Sequence, residues 1–439
     1  MKTILILGAG RVSGPCVEYL ARNTNYRLVI SDISQENLDV IKHAFPSVET
    51  VRDDTSKNAA ALIDNFSPDL VINLMPNELI FPVTKLCLEK KRHMVHVCGS
   101  DDATRALEAD VKAAGLVFIT EIGLDPGIDH MLAAKMIREI KASDGKVVSF
   151  RSICGALPAT EANTNPWGYK LSWAPAGFIG ASKRTAKIIK NGEEILWPDG
   201  ETYNHAYLEE IEGLGTFEVY ANNNSMPYKT AYDIPDATEL YRGTLRYPGW
   251  CETISHMNTL GLFELDEMDL KGMTFAAFTA KLAGSEGDPK QALCRALGIK
   301  PWATFLLRME WMGFFDNRPI PLDRGSARDV VTLLYGEKLV YSKNERDLVV
   351  LRDECIATFS DGKKRRYRST LIDFGIPAGF SSIARTTGLP PAIAAHFILN
   401  GKISTPGVYF PVTPEIVTPV LNELVKLGAK IEETVLELN

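Results

Sequence analysis

The tightest constraint in the sequence is its opening. An apolar run, Thr3–Leu7, feeds directly into Gly8-Ala9-Gly10-Arg11-Val12-Ser13, and a helix-patterned stretch, Gly14–Arg22, follows at once. An apolar strand that ends on Gly-x-Gly and turns into a helix is the first half of a βαβ unit built to receive phosphate groups. Gly8 permits the tight turn, and Gly10 lets a pyrophosphate approach the backbone. The helix start beyond them offers unpaired N–H groups and a positive dipole end. Ser13 stands where a third glycine is usual, but it is small and Gly14 follows it.

The alternation continues along the chain. Strand-like Arg27–Ser31, Leu70–Leu74, His93–Val97 and Val117–Thr120 are interleaved with helix-like Gln35–Ala44, Ile80–Glu89 and Thr104–Ala114. This predicts an α/β fold with a Rossmann-type, doubly wound parallel sheet as a dinucleotide-binding domain over 1–122. Beyond Ile122 the texture changes to long loops rich in Asn, Pro, Trp and Tyr, at Pro158–Pro175 and Asn222–Tyr228. A second, α+β substrate domain is expected over 123–375, its sheet widened by Leu348–Thr358 and Arg365–Asp373 around the turn Ser360-Asp361-Gly362. In a C-terminal segment, 376–439, helices are expected at Phe380–Thr387, Pro391–Leu399 and Pro414–Leu427, closed by Gly388, Gly401 and Gly428 and packing back on the nucleotide domain.

Composition excludes several classes. A formal net charge of -7 gives no electrostatic footprint for nucleic acid, and Lys363–Arg366 reads as a solvated hairpin arm. The seven cysteines are scattered without a Cys-x-x-Cys pair, so neither a disulfide framework nor a metal site is expected. Ile4–Leu7 is too short for a signal segment and no run is long enough to cross a bilayer, so the expected location is cytoplasmic.

Two acidic positions carry the chemistry. Asp32 closes the second strand, where a carboxylate accepts hydrogen bonds from an adenosine ribose and repels a 2′-phosphate. It favours NAD over NADP, with Arg11 and Arg27 as alternative phosphate contacts. The stretch from Glu121 to His130 follows the last strand, at the edge where open α/β sheets place their ligands. Asp125 reads there either as a helix cap beside a first-turn Pro126 or as an acid/base group that holds an ammonium.

Two further stretches, Cys154-Gly155-Ala156-Leu157-Pro158 and Asn165-Pro166-Trp167-Gly168-Tyr169-Lys170-Leu171-Ser172-Trp173, complete a pattern with Arg242–Tyr247 and Arg346–Arg352. Over nearly its whole length the chain resembles the L-glutamate-forming saccharopine dehydrogenase/reductase family. The resemblance implies interconversion of saccharopine with L-glutamate and α-aminoadipate δ-semialdehyde in lysine metabolism, with NAD or NADP as cofactor. It implies that Gly8, Gly10, Arg11, Val12 and Ser13 hold the pyrophosphate and that Asp32 and Ile33 meet the ribose. The implied cofactor lining adds Asp53, Asp54, Met75, Val97, Cys98, Leu124, Asp125, Pro126 and Trp173. Cys98, Gly99, Asp125, Asn223, Thr244, Leu245 and Arg246 are implied contacts of an amino-dicarboxylate substrate. The resemblance places Cys154 at the mouth of the same cleft; Asp125 is the leading catalytic candidate, Cys154 reads either as a second catalytic group or as a small buried thiol packing beside the ring, and a homodimer is a possible assembly.

This chemistry removes hydride from carbon beside a secondary amine, so the chain must orient that amine and handle its proton. Lys170 and His130 are reserve acid/base groups, Arg246 is the expected carboxylate anchor with Arg242 beside it, and Trp167, Tyr169 and Trp173 either wall the ligands or form local core. The sequence departs from the family at Cys98-Gly99, where a Ser-Tyr pair is usual, and at Asn223, where the family carries a substrate-binding Arg. Asn223 cannot form a bidentate pair with a carboxylate. Two other readings follow: a related C–N oxidoreductase on a carboxynorspermidine-like or other opine-like substrate, and a catalytically inactive dinucleotide sensor.

Overall fold

The structure, a computed structural model, describes residues 1–99, 102–173 and 175–438. The chain divides into two compact units: Met1–Ser152 with Tyr228–Ala237 and Val349–Asn439, and Ile153–Pro227 with Thr238–Leu348.

The first unit is built on β1 (Thr3–Leu7), α1 (Ser13–Asn23), β2 (Arg27–Asp32), α2 (Gln35–Ala44), β3 (Glu49–Arg52), α3 (Thr55–Phe66), β4 (Leu70–Asn73), α4 (Ile80–Glu89), β5 (His93–His96) and β6 (Val117–Ile119). Its seven-stranded sheet runs β3-β2-β1-β4-β5-β6 and then Gly407–Tyr409, and every pair is parallel. The doubly wound parallel sheet expected from the opening alternation is therefore present. All five residues of β1 are buried, as parallel strands covered on both faces require. Leu5, Leu7, Val29, Val71 and Phe118 pack against Leu62, Ile63, Val83 and Cys87 in one core cluster. The strand order reverses between β1 and β4, which opens a crevice at the carboxyl edge of the sheet.

The structure departs from the expected pattern in three places. The sequence pattern did not mark β3 and α3, since β3 is short and only half-buried. Thr104–Ala114 forms two short helices, Asp102–Arg105 and Glu108–Ala113, instead of one. Helices anticipated at Phe380–Thr387 and Pro391–Leu399 are a single helix, Ser382–Leu399, that runs through Gly388, Pro390 and Pro391. This helix packs along α1 and against β4 and β5. A Cβ on Gly388 would stand 2.2 Å from the Val12 carbonyl oxygen, and one on Gly14 would stand 2.5 Å from the Phe380 ring. Gly388 is thus a close-approach residue, and not the helix stop it resembles.

Also in this unit, Lys364–Phe374 pairs antiparallel with the edge strand Ile431–Leu438. In the second unit, Tyr207–Ile211, Gly215–Ala221 and Glu239–Arg246 form an antiparallel meander, joined by the hairpin Ala186–Lys190 and Glu193–Trp197. Its register sets Tyr220 opposite Thr244 and Glu218 opposite Arg246. Among the described residues no helix is long and apolar enough to cross a membrane, and no group of three or more His, Cys, Asp or Glu side chains could hold a metal ion. All seven cysteines are free thiols.

Candidate active site

The first unit gathers most of the nucleotide-side residues on one edge, because parallel strands end together. Gly8 has φ +101, and a Cβ there would lie 3.2 Å from both the Leu74 carbonyl oxygen and the Met75 sulfur. A Cβ on Gly10 would meet nothing within 4 Å, so no protein atom demands glycine there, and the open space suits an approaching pyrophosphate. The turn is held by Gly8 N–H donating to the Ser31 carbonyl (2.8 Å) and by Ser13, whose N–H and Oγ both donate to the Gly10 carbonyl. The start of α1 has no side-chain cap and no acidic residue in its first turn. Its end groups remain available to an anion. Arg11 is exposed at the turn and Val12 is half-buried.

Asp32 Oδ2 accepts from the Ala9 N–H at 2.6 Å, and Oδ1 accepts from the Ser34 N–H at 2.7 Å. The carboxylate thereby ties the glycine turn to the end of β2, and each oxygen keeps a further lone pair for a hydroxyl donor. Ile33 beside it is exposed. Asp53 accepts from Asn58 Nδ2 and the Asp54 N–H, while Asp54 caps α3 through Ser56. Met75 follows β4, and Val97, Cys98 and Gly99 follow β5. Burial, with Glu78 and Glu121 nearby, pushes the Cys98 thiol up to about 11. It is therefore protonated at neutral pH.

Beyond β6 the chain forms a tight loop. Gly123 N–H donates to the Pro126 carbonyl, Ile128 N–H to Gly123 and Asp129 N–H to Leu124. Leu124 is buried within it, and Asp125 and Pro126 are half-buried. Gly127 has φ +147, and a Cβ there would lie 2.1 Å from the Gly123 carbonyl oxygen. The helix that follows is Ile128–Ala142 with Gly127 at its cap position. Asp125 is therefore not the helix cap and Pro126 is not in the first turn, because the loop needs two more residues to close on itself. The carboxylate serving that helix end is Asp129, which accepts from the Gly127 N–H. His130, a reserve acid/base group by sequence, has both ring nitrogens engaged: Nε2 with Glu121 Oε2 at 2.8 Å and Nδ1 with the Tyr232 hydroxyl at 2.6 Å. Glu121, Tyr228 and Tyr232 were not singled out by sequence; they lie 9 and about 100 positions from His130, and no spacing rule joins them.

The second unit gathers the expected carboxylate anchor and its surroundings. Arg246 is buried at the end of Glu239–Arg246, and Nη1 donates to the Leu245 carbonyl at 2.8 Å. Its guanidinium carbon lies 4.9 Å from the centre of Tyr169, 5.6 Å from Trp250 and 5.9 Å from Phe178. No carboxylate pairs with it among the described residues, and its Nε has no hydrogen-bond partner there. Glu218, its cross-strand partner, spends both oxygens on the Gly249 and Cys251 N–H groups. Burial opposes the charge of Arg246, yet the phenols of Tyr220, Tyr169 and Tyr203 hold it above the usual guanidinium range. Such a cation is ready for an anion. Leu245 is buried and Thr244 half-buried on the same strand, with Arg242 buried as well.

Cys154 is buried on the long strand Lys146–Pro158, where Gly155 lets Leu245 approach: a Cβ would stand 2.7 Å from the Leu245 Cβ. Trp167 and Tyr169 are core residues, Trp167 donating to the Arg308 carbonyl, while half-buried Trp173 donates to the Tyr169 hydroxyl. Lys170 is buried in an ion pair with Glu345 and bonded to Thr164, which assigns it a structural bond. Asn223 is exposed, with its side chain folded onto the Asn224 N–H. Phe178 and Trp250, which complete the aromatic surround of Arg246, lie in the helices Pro175–Gly180 and Trp250–Thr259 and were not anticipated from sequence.

Comparison with known proteins covers almost every residue. The saccharopine dehydrogenase NADP binding domain matches residues 4–119, and the saccharopine dehydrogenase C-terminal domain matches residues 123–429. The chain is 34% identical to the NADP(+)-dependent, L-glutamate-forming saccharopine dehydrogenase of Saccharomyces cerevisiae, over 98% of this chain and 99% of the yeast protein. It is 33% identical to the alpha-aminoadipic semialdehyde synthase of Arabidopsis thaliana over 98% of this chain, but spans only 44% of that protein's length. The apo structure of the S. cerevisiae L-Glu-forming saccharopine dehydrogenase matches with a TM-score of 0.89 at 32% identity, covering 99% of this chain and 100% of that one.

Proposed function

The chain belongs to the saccharopine dehydrogenase family, and from that premise we propose that it interconverts saccharopine with L-glutamate and α-aminoadipate δ-semialdehyde by nicotinamide-dependent oxidoreduction at a secondary amine. The observation that carries the reading is Arg246, a buried guanidinium in an aromatic surround with no carboxylate paired to it among the described residues. It holds a substrate carboxylate. In the first unit the glycine turn, the open start of α1 and Asp32 hold the dinucleotide, whose nicotinamide accepts the hydride when bound. Asp125 holds the amine of the substrate and takes its proton. Cys98 stays a thiol and shapes the site without serving as a base.

For the cofactor, the description of the matched nucleotide-binding domain and the name of the yeast relative weigh toward NADP. Asp32 weighs toward NAD, because its negative charge stands where a 2′-phosphate would add more. We take NAD as the cofactor of this chain. Direct titration of both dinucleotides tests it: NAD binds more tightly to the native chain, and Asp32→Ala weakens NAD more than NADP. Tighter NADP binding, or equal losses, removes Asp32 from the role.

Asn223 supports a second reading, since an exposed amide bonded to its own turn offers no second carboxylate clamp. The substrate is then a smaller or less acidic opine-like amine. A panel of saccharopine, carboxynorspermidine and simpler opines, followed through the absorbance of reduced nicotinamide, separates the two. Turnover of saccharopine above all others supports the first reading; binding of dinucleotide without turnover of any would leave a sensor.

A further inference from the structure

We propose that Glu121 and His130 are positioning residues for Asp125, a buried clamp across the base of the loop that presents it; the inference rests on the role proposed above for Asp125. The two side chains sit at the two ends of that loop. His130 is 1% exposed and Glu121 2%, and the Nε2–Oε2 bond between them measures 2.8 Å. The other ring nitrogen is 2.6 Å from the Tyr232 hydroxyl, and the Tyr228 hydroxyl reaches the same glutamate oxygen at 3.4 Å. Asp129 Oδ2 is 3.8 Å from the imidazole, and the rings of Tyr228, Tyr232 and Phe410 lie 5.2, 5.8 and 6.0 Å from it. Three separate chain segments of the first unit therefore meet at one imidazole.

Burying a carboxylate with an imidazole is expensive, and an apolar pair of the same volume would hold a merely structural corner as well or better. A hydrogen bond adds direction: it fixes an angle that apolar packing leaves free. Glu121 also occupies the left-handed region at φ 55, which a non-glycine residue adopts only where its surroundings determine it. Between the clamped ends the loop is bonded to itself through Gly123, Pro126, Gly127 and Asp129, and it is tied to the end of β5 by the Ile122 N–H donating to the His96 carbonyl. The Glu121–His130 bond therefore fixes the base from which the loop presents Asp125.

The test is a double-mutant cycle on the full chain with NAD and saccharopine. His130→Phe keeps the ring volume and removes both bonds. It is expected to lower kcat by about tenfold to hundredfold, the scale of a small misplacement of a reacting group, while the dissociation constant for NAD stays within about twofold. Glu121→Gln, which keeps the acceptor oxygen, retains more activity than Glu121→Leu. In the Asp125→Asn background His130→Phe has no further effect on kcat, because the group it positions is already disabled. Multiplying losses in the double variant, or an unchanged kcat in His130→Phe, overturns the clamp. If Asp125→Asn alone leaves kcat intact, the role of Asp125 fails first and the clamp falls with it, an outcome distinct from the other two. Tyr232→Phe runs through the same cycle should His130→Phe not fold.

Discussion

A guanidinium enclosed by aromatic rings needs an anion to share its charge, and among the described residues Arg246 is bonded to a backbone carbonyl and paired with no carboxylate. Replacing it with Lys keeps the charge but loses the planar fork. Arg246→Lys should raise KM for the substrate by roughly tenfold to hundredfold, the worth of charge-assisted hydrogen bonds at about 1.5–3 kcal/mol, with a much smaller change in dinucleotide affinity. Steady-state kinetics beside a fluorescence titration of the cofactor checks this. At Cys98 the thiol is pushed up to about 11, so it reacts only as pH rises toward that value. Alkylation mapped by mass spectrometry should be slow at neutral pH and still accelerating under mildly alkaline conditions; a plateau near neutrality would show a thiolate. At this scale the sequence exposed what is contiguous. The glycine turn, Asp32 and Asp125 lie in contiguous runs that mark them as candidates from sequence. The partners of His130 and the rings around Arg246 come from distant elements, and only folding brings them together.

Among elements, the helix Ser382–Leu399 is the one whose sequence signals mislead. Two prolines each remove a helical donor, at about 3 kcal/mol in an isolated helix, and Gly388 looks like a terminator. Burial outweighs both: Ala392, Ile393, Ala394 and Ala395 are fully buried. Local propensity is a weak prior against that much apolar contact. Gly388→Ala places a methyl group 2.2 Å from the Val12 carbonyl oxygen and should destabilise by about 1–3 kcal/mol. Gly336, inside Ala327–Lys338 with nothing within 4 Å of a Cβ, is the opposite case. Gly336→Ala should stabilise by about 0.5–1 kcal/mol. Thermal melts of the two variants should shift in opposite directions. Apolar runs made β1, β2, β4 and β5 readable, whereas β3, Glu-Thr-Val-Arg, is polar at both ends and half-buried, and Gly407–Tyr409 is a three-residue strand.

For the whole molecule, the order of segments matters more than their number. The first unit draws on three stretches of chain, and its sheet ends on Gly407–Tyr409, parallel to β6. A chain stopped after Gly375 would leave β6 as an open edge and strip the apolar cover from α1. Such an edge is a template for aggregation. The truncated protein should be insoluble or fail to bind dinucleotide, as sedimentation and a cofactor titration would show; a soluble fragment with native affinity would contradict this account. The βαβ alternation announced the sheet, but nothing in a strand of three residues announces which edge it completes.

The same arrangement sets a clock for synthesis. Thr120 Oγ1 donates to the carbonyl of Tyr409, a residue 289 positions later. At translation speeds of about 5–20 residues per second, β6 waits roughly 15–60 s for the strand that closes it. During that interval the nascent chain carries an uncovered strand edge and a bare α1 face. Its yield in the cell is then governed by how well that waiting surface is shielded, and slower decoding of the intervening codons would lengthen the exposure without altering a single residue.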